Sequence, residues 1–174
     1  MDAALIVRRI RGDDMRVYFL RHGEAADRTG WAGMDADRPL TESGEKELRA
    51  VAKKLARMGL AVEAIRSSPL ARALGTASIV ARGLGLDTIV ATDDRLAPGF
   101  DTASFRAILA ERPRCASLML VGHEPDLSHV VAELTGGTSV EMKKAGLARV
   151  DFSMETGAGV LVWLLPPKVL MAEG

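Results

Sequence analysis

The chain has 174 residues, 23 Lys and Arg against 23 Asp and Glu, a hydrophobic content of 48% and one cysteine. That is the composition of one globular domain with a substantial core. A formal net charge of zero provides no general attraction to nucleic acid or to anionic lipid, and Cys115 alone cannot make an intrachain disulfide or a thiolate metal cluster.

Residues 1–14, MDAALIVRRIRGDD, are too short and too charged for a secretory signal, and no stretch reaches membrane-spanning length. They are read as an extension, ragged or from a misassigned start, ahead of a single domain over 15–174, and the expected location is the cytoplasm. The first strand is the apolar run Val17–Leu20, which stops abruptly at Arg21-His22-Gly23-Glu24. Thr41 is placed to cap a helix carrying Leu48, Val51, Leu55 and Met58, with Gly59 ending it. Val62–Ser68 reads as a second strand. Pro69 then opens a helix over Leu70–Arg82, with Gly83 as its stop. Thr88–Ala91 is a short strand, and Asp101 or Thr102 caps a brief helix through Phe105, Ile108 and Leu109. Leu118–Val121 is a wholly apolar strand that ends at Gly122-His123-Glu124-Pro125, and Pro125 starts a helix carrying Leu127, Val130, Val131 and Leu134. Ala148–Met154 and Val160–Leu165 form a hairpin terminated by Pro166-Pro167. Alternating strands and helices followed by a hairpin predict a three-layer α/β/α sandwich with a mostly parallel central sheet.

Two strands end alike. LRHGE and VGHEP each set a histidine beside a glycine directly after apolar residues, and neighbouring parallel strands bring His22 and His123 to one sheet edge. A neutral imidazole can attack phosphorus, and a ring N–H can donate to an oxyanion. Arg21 adjoins the first histidine and Arg72 lies one turn into the helix after Pro69; guanidinium groups match phosphoryl oxygens in planar pairs. Ser67-Ser68 and the N-terminus of the same helix supply further donors.

LRHGEA, SSPLARALGTA and VGHEPDLS together resemble three blocks of the histidine phosphatase superfamily, the phosphoglycerate-mutase-like fold. The later KKAGLARVDF block and the block spacing are most similar to its short, single-domain phosphohistidine phosphatases. The resemblance covers Met15 to Leu165 and implies catalytic roles for His22, Arg21, Arg72 and His123. His22 is the implied nucleophile, carrying a covalent phosphohistidine. Arg21 and Arg72 are the implied phosphoryl clamps, and His123 stabilises the transferring group. It implies neither cofactor nor metal. The implied substrate is a histidine-phosphorylated protein, such as a phosphotransfer domain, or a small phosphorylated molecule.

Larger relatives carry a carboxylate general acid after the third strand, where this chain reads TDDRLAPGFD. Asp93 and Asp94 are the available acids, and neither aligns with the family pattern. Imidazole leaves more readily than alkoxide, so a missing acid favours phosphohistidine as substrate. A small-molecule phosphomonoesterase and a phosphate-binding regulatory module without turnover are the competing readings. Gly75 stands where relatives commonly carry glutamine, and the long covering insertions of mutases are lacking, which suits a protein substrate. Among the remaining polar residues, Glu24 is an orienter of His22 or a surface acid, with Glu124 a weaker case. His129 reads as an exposed helical residue, Lys143-Lys144 as a solvated pair, and Trp31 as lining the site mouth or packing inside.

Overall fold

The computed structural model describes residues 14–86, 90–112, 115–137 and 139–171. Its six strands form one sheet: β1 (Asp14–Arg21), β2 (Ala64–Ser67), β3 (Val90–Thr92), β4 (Ser117–Gly122), β5 (Leu147–Ser153) and β6 (Gly159–Leu165). The spatial order is β3-β2-β4-β1-β5-β6. β3, β2, β4 and β1 run parallel, whereas β5 pairs antiparallel with β1, and β6 with β5. The expected α/β sandwich with a mostly parallel sheet is therefore present.

Alternation along β1 builds both layers. Val17 and Phe19 face a core shared with α3 (Thr102–Ala110) and α4 (Asp126–Leu134), where Phe105, Ile108, Leu127 and Val131 are buried. Tyr18 and Leu20 face the opposite core, made with α1 (Glu42–Arg57) and α2 (Ala71–Leu84) through Leu48, Val51, Leu55, Ala77 and Val80. β4 is buried at every position, as a central parallel strand covered on both faces must be.

Local chemistry sets most boundaries. Thr41 caps α1 by accepting from the Gly44 N–H at 3.0 Å, and Asp101 caps α3 by accepting from Ser104 N–H at 2.8 Å. α2 does not stop at Gly83 but runs to Leu84 and ends at Gly85, whose φ of 72° provides the left-handed cap. Gly83 serves packing instead, because a Cβ there would lie 2.5 Å from the Ala52 Cβ of α1. Pro166-Pro167 ends β6 at Leu165 as expected, and Pro167 opens a short helix, α5 (Pro167–Met171), whose Leu170 joins the second core. The first strand extends back to Asp14, which pairs with Ser153. The expected leading extension otherwise lies outside the described residues, as do residues 88 and 89 of the strand expected at 88–91. No described helix is long and apolar enough to cross a membrane.

The path of the chain selects one place for a ligand. From β1 it passes over the position of β4 to β2, moves outward to β3, and returns to insert β4 between β2 and β1. The carboxyl ends of β1, β4 and β2 thus meet where successive connections diverge, the crevice that open α/β sheets offer to ligands.

Candidate active site

His22 follows β1 and His123 follows β4. Their registers pair Arg21 with Gly122, and the His22 N–H donates to Gly122 O at 3.1 Å. Both imidazoles are buried, at 9% and 5% exposure, with ring centroids 5.2 Å apart. Two strand ends a hundred residues apart in sequence therefore present one histidine pair.

The tautomer of His22 follows from its partner. Nδ1 lies 2.7 Å from the carbonyl oxygen of Gly23, an acceptor only, so Nδ1 carries the proton and Nε2 keeps its lone pair. Gly23 is itself pinned: its N–H donates to Thr76 Oγ1 at 3.0 Å, and that hydroxyl donates to Arg72 O at 2.7 Å. A Cβ at residue 23 would stand 2.7 Å from Leu48 Cδ1, so any side chain at this turn would have to displace Leu48 of α1.

His123 is oriented from β2. Its Nε2 lies 2.8 Å from Ser68 Oγ, which accepts from the Leu70 N–H at 3.3 Å. The hydroxyl is then free to donate to Nε2, and the neutral ring carries its proton on Nδ1. That Nδ1 is buried without a protein partner, as are Nε of Arg21 and Nε of Arg72. Buried polar groups are normally paired, so unpaired nitrogens on three residues expected at one site mark a place for an anion.

Arg72 is 4% exposed and rises from the first turn of α2. Its Nη1 donates to Asp35 O at 2.8 Å and its Nη2 to Asp35 Oδ2 at 3.1 Å. Arg21 is held from the far side of the sheet, Nη1 donating to Met142 O at 2.7 Å. The turn after Met142 is in turn tied to the first histidine, since Ala145 N–H donates to His22 O at 3.2 Å.

Burial pushes the His22 imidazole down to about 4, and the Arg72, Arg21 and Arg38 charges push the same way against its bond to Gly23. Burial likewise lowers His123 to about 3, helped by His22 and Arg72 and opposed by Asp35. Both rings are neutral at physiological pH. The pocket thus combines a lone pair, a ring N–H and fixed cations.

Two residues unremarked in the sequence belong here. Asp35 lies in the 25–40 loop, closed at its base by the Ala25–Leu40 bridge, and Arg38 donates from Nε to Asp35 Oδ1 at 3.1 Å and from Nη1 to Ala26 O at 2.7 Å. No period or glycine marks them, because the loop is irregular and its partner lies on α2.

Other candidates fall elsewhere. Asp93 accepts Arg95 Nε at 2.8 Å and Nη2 at 2.7 Å, and those hydrogen bonds hold its carboxyl below the ordinary range. It is an ion-pair partner and not a proton donor. Glu24 accepts from Thr41 Oγ1 and Ser43 Oγ, stapling the loop to α1 without reaching His22. His129 is exposed on α4, and Lys143 and Lys144 pair with Glu141 and Glu24. The half-buried Trp31 donates its indole N–H to Met34 O within the loop, and Gly75 lies under Leu40. Cys115 is half-buried and donates its thiol to Ser117 O. Among the described residues, no group of three or more His, Cys, Asp and Glu has the geometry of a metal site.

The chain is similar to a known family. Residues 17–97 match the model of the histidine phosphatase superfamily, branch 1. The chain is 32% identical over 158 residues to the phosphohistidine phosphatase SixA of Escherichia coli, covering 88% of this chain and 94% of that protein. It is 40% identical over 168 residues to an uncharacterized protein of Picosynechococcus sp. strain PCC 7002, covering 87% of this chain and all of that one. A solved structure of the protein histidine phosphatase SixA complexed with tungstate superposes with a TM-score of 0.80 at 31% identity, covering 88% of this chain and 98% of that one. The protein belongs to the histidine phosphatase superfamily and is a phosphatase-type hydrolase acting on a phosphorylated substrate.

Proposed function

We propose that the protein is a phosphohistidine phosphatase working through a covalent phosphohistidine on His22. One observation carries this reading: the Nδ1–H of His22 is committed to Gly23 O at 2.7 Å, which leaves Nε2 with a reactive lone pair in a buried ring 5.2 Å from that of His123. In the first step Nε2 attacks phosphorus in line while the substrate's imidazole leaves. Arg21 and Arg72 stabilise the charge spread over the equatorial oxygens, and the Nδ1–H of His123 supplies a further donor. Water then cleaves the P–N bond of the intermediate and regenerates His22. The tungstate that a related protein takes up is a tetrahedral oxyanion of the kind this pocket suits.

The choice of phosphohistidine over an ester rests on the carboxylates. Asp93 is spent on Arg95, and a phosphoramidate does not need the acid that an alkoxide leaving group needs. A histidine-phosphorylated protein of the cytoplasm is the proposed partner. One observation favours a second reading, phosphomonoester hydrolysis: burial holds the Glu124 carboxyl, next to His123, above its ordinary range.

The experiment is a phosphorus NMR time course with a phosphohistidine peptide and a phosphomonoester together, comparing wild type, His22→Ala and Glu124→Gln. Selective loss of the phosphohistidine signal, abolished in His22→Ala and retained in Glu124→Gln, is the expected result. Faster ester hydrolysis that disappears in Glu124→Gln would overturn it in favour of the second reading.

A further inference from the structure

Asp35 places a carboxylate beside the candidate phosphoryl site. It sits against the arginine expected to grip the phosphoryl group, with Oδ2 3.1 Å from Arg72 Nη2 and Oδ1 3.1 Å from Arg38 Nε. Arg28 Nε reaches Oδ1 at 3.9 Å. Arg72 is buried, whereas the Asp35 side chain is 40% exposed, so the carboxylate stands on the solvent side of the guanidinium. The carboxylate ties the loop to Arg72 and Arg38, and an anion this close to a dianionic substrate also repels it.

In-line displacement gives the placement a use. His22 is 9% exposed, so a leaving group opposite Nε2 points outward from the crevice, and the partly exposed Asp35, bonded to Arg72, stands beside the phosphoryl site. We propose that Asp35 is a specificity-determining residue that accepts a hydrogen bond from the distal ring N–H of a phosphorylated imidazole and thereby selects phosphohistidine over phosphate esters. This rests on the phosphohistidine reading given above.

The step balances without any further reagent. The substrate ring enters protonated on its distal nitrogen. Nε2 of His22 forms the new N–P bond, and the electron pair of the old P–N bond returns to the substrate nitrogen. The distal proton stays in place, and neutral imidazole departs. A carboxylate facing that N–H keeps the ring protonated through the transfer, and a charge-assisted bond of this kind is among the stronger ones. An ester gains nothing from it. Its leaving oxygen needs a proton, and Asp35 has none to give: burial would raise its carboxyl, but the Arg72 and Arg38 guanidinium groups outweigh burial and hold it below the ordinary range. Asp35 therefore aids one class of leaving group and opposes the other.

The test compares Asp35→Asn with wild type on phosphoimidazole and on phosphoserine, whose alkoxide leaving group needs a proton. Asparagine removes the charge and leaves the main-chain oxygen of residue 35 bonded to Arg72 Nη1, so the arginine keeps an anchor. The expected result is a fall of about tenfold or more in the phosphoimidazole-to-ester ratio of kcat/KM, with the ester rate rising. Asp35→Glu is expected to restore part of the ratio. If both substrates slow equally, Asp35 only positions Arg72, and if both quicken equally it only competes for the pocket; either result overturns the proposal. If wild type is inert toward phosphoimidazole, the phosphohistidine reading falls and takes this one with it, whereas an active wild type with an unchanged ratio in Asp35→Asn overturns the Asp35 role alone.

Discussion

His22 and His123 face each other across the seam between β1 and β4, with ring centroids 5.2 Å apart and planes inclined at 54°. At that spacing, protonation of one ring opposes protonation of the other, and the arginines nearby oppose both. With burial as the largest cause, His22 is held down to about 4. Protonation removes the Nε2 lone pair, so activity falls as pH falls. The expected profile of kcat/KM, corrected for ionisation of the substrate, is flat from neutral pH to about 5 and half lost near 4. An acid limb centred on the ordinary histidine value would contradict a buried neutral nucleophile. Imidazole proton and nitrogen NMR shifts, followed in the same range, assign the limb to its ring.

The same two rings make folding depend on pH. In the unfolded chain each histidine takes up a proton below its ordinary value of 6.5, whereas in the native protein His22 resists to about 4 and His123 to about 3. The unfolded state therefore binds more protons between those limits, and stability is lost as pH falls from 6.5. Each ring contributes a slope of about 1.4 kcal/mol per pH unit well inside that window. Urea unfolding at pH values spanning the window is expected to show a shallower dependence in the His22→Asn, His123→Asn double variant than in wild type. Equal slopes would mean that the native rings titrate normally.

Where side-chain chemistry and local period coincide, the sequence carried the fold. Val17–Leu20 and Leu118–Val121 are apolar without interruption because both are central strands covered on both faces, and the histidine after each lies at the shared edge. The capping positions Thr41 and Asp101 are legible for the same local reason. Boundaries set by distant partners are not. Gly83 reads as a stop, yet α2 runs through it to the left-handed Gly85, and residue 83 is small because the Ala52 Cβ of α1 leaves room only for hydrogen. Asp35 escapes notice because its meaning depends on Arg72, thirty-seven residues on. Asp93 reads as a candidate acid until Arg95 is seen to occupy it.

Arg72 is predicted not to tolerate lysine. Its guanidinium uses both Nη atoms on residue 35 and still has Nε–H and the second Nη hydrogens for a ligand. An ammonium has three hydrogens on one atom and cannot bind the loop and a phosphoryl group in the same geometry. Arg72→Lys is expected to lower kcat/KM by about 100-fold or more while circular dichroism and the unfolding midpoint stay close to wild type. A loss below about threefold would show that the arginine serves the loop and not the transition state.

Thr76 joins the helix of that arginine to the turn of the nucleophile. Its hydroxyl accepts from the Gly23 N–H at 3.0 Å and donates to Arg72 O at 2.7 Å, and the residue is fully buried. Thr76→Val keeps the volume but leaves the Gly23 N–H buried without an acceptor, at a cost of about 1–3 kcal/mol in stability. Gly23 also fixes the His22 ring through its carbonyl, so a shift of this peptide turns Nε2 away from the line of attack. The variant is therefore expected to lose kcat with little change in KM, and Thr76→Ser, which keeps the hydroxyl, is expected to recover most of it. If valine lowers stability but leaves kcat intact, Gly23 holds the imidazole without help from α2, and the coupling between the two elements is packing alone.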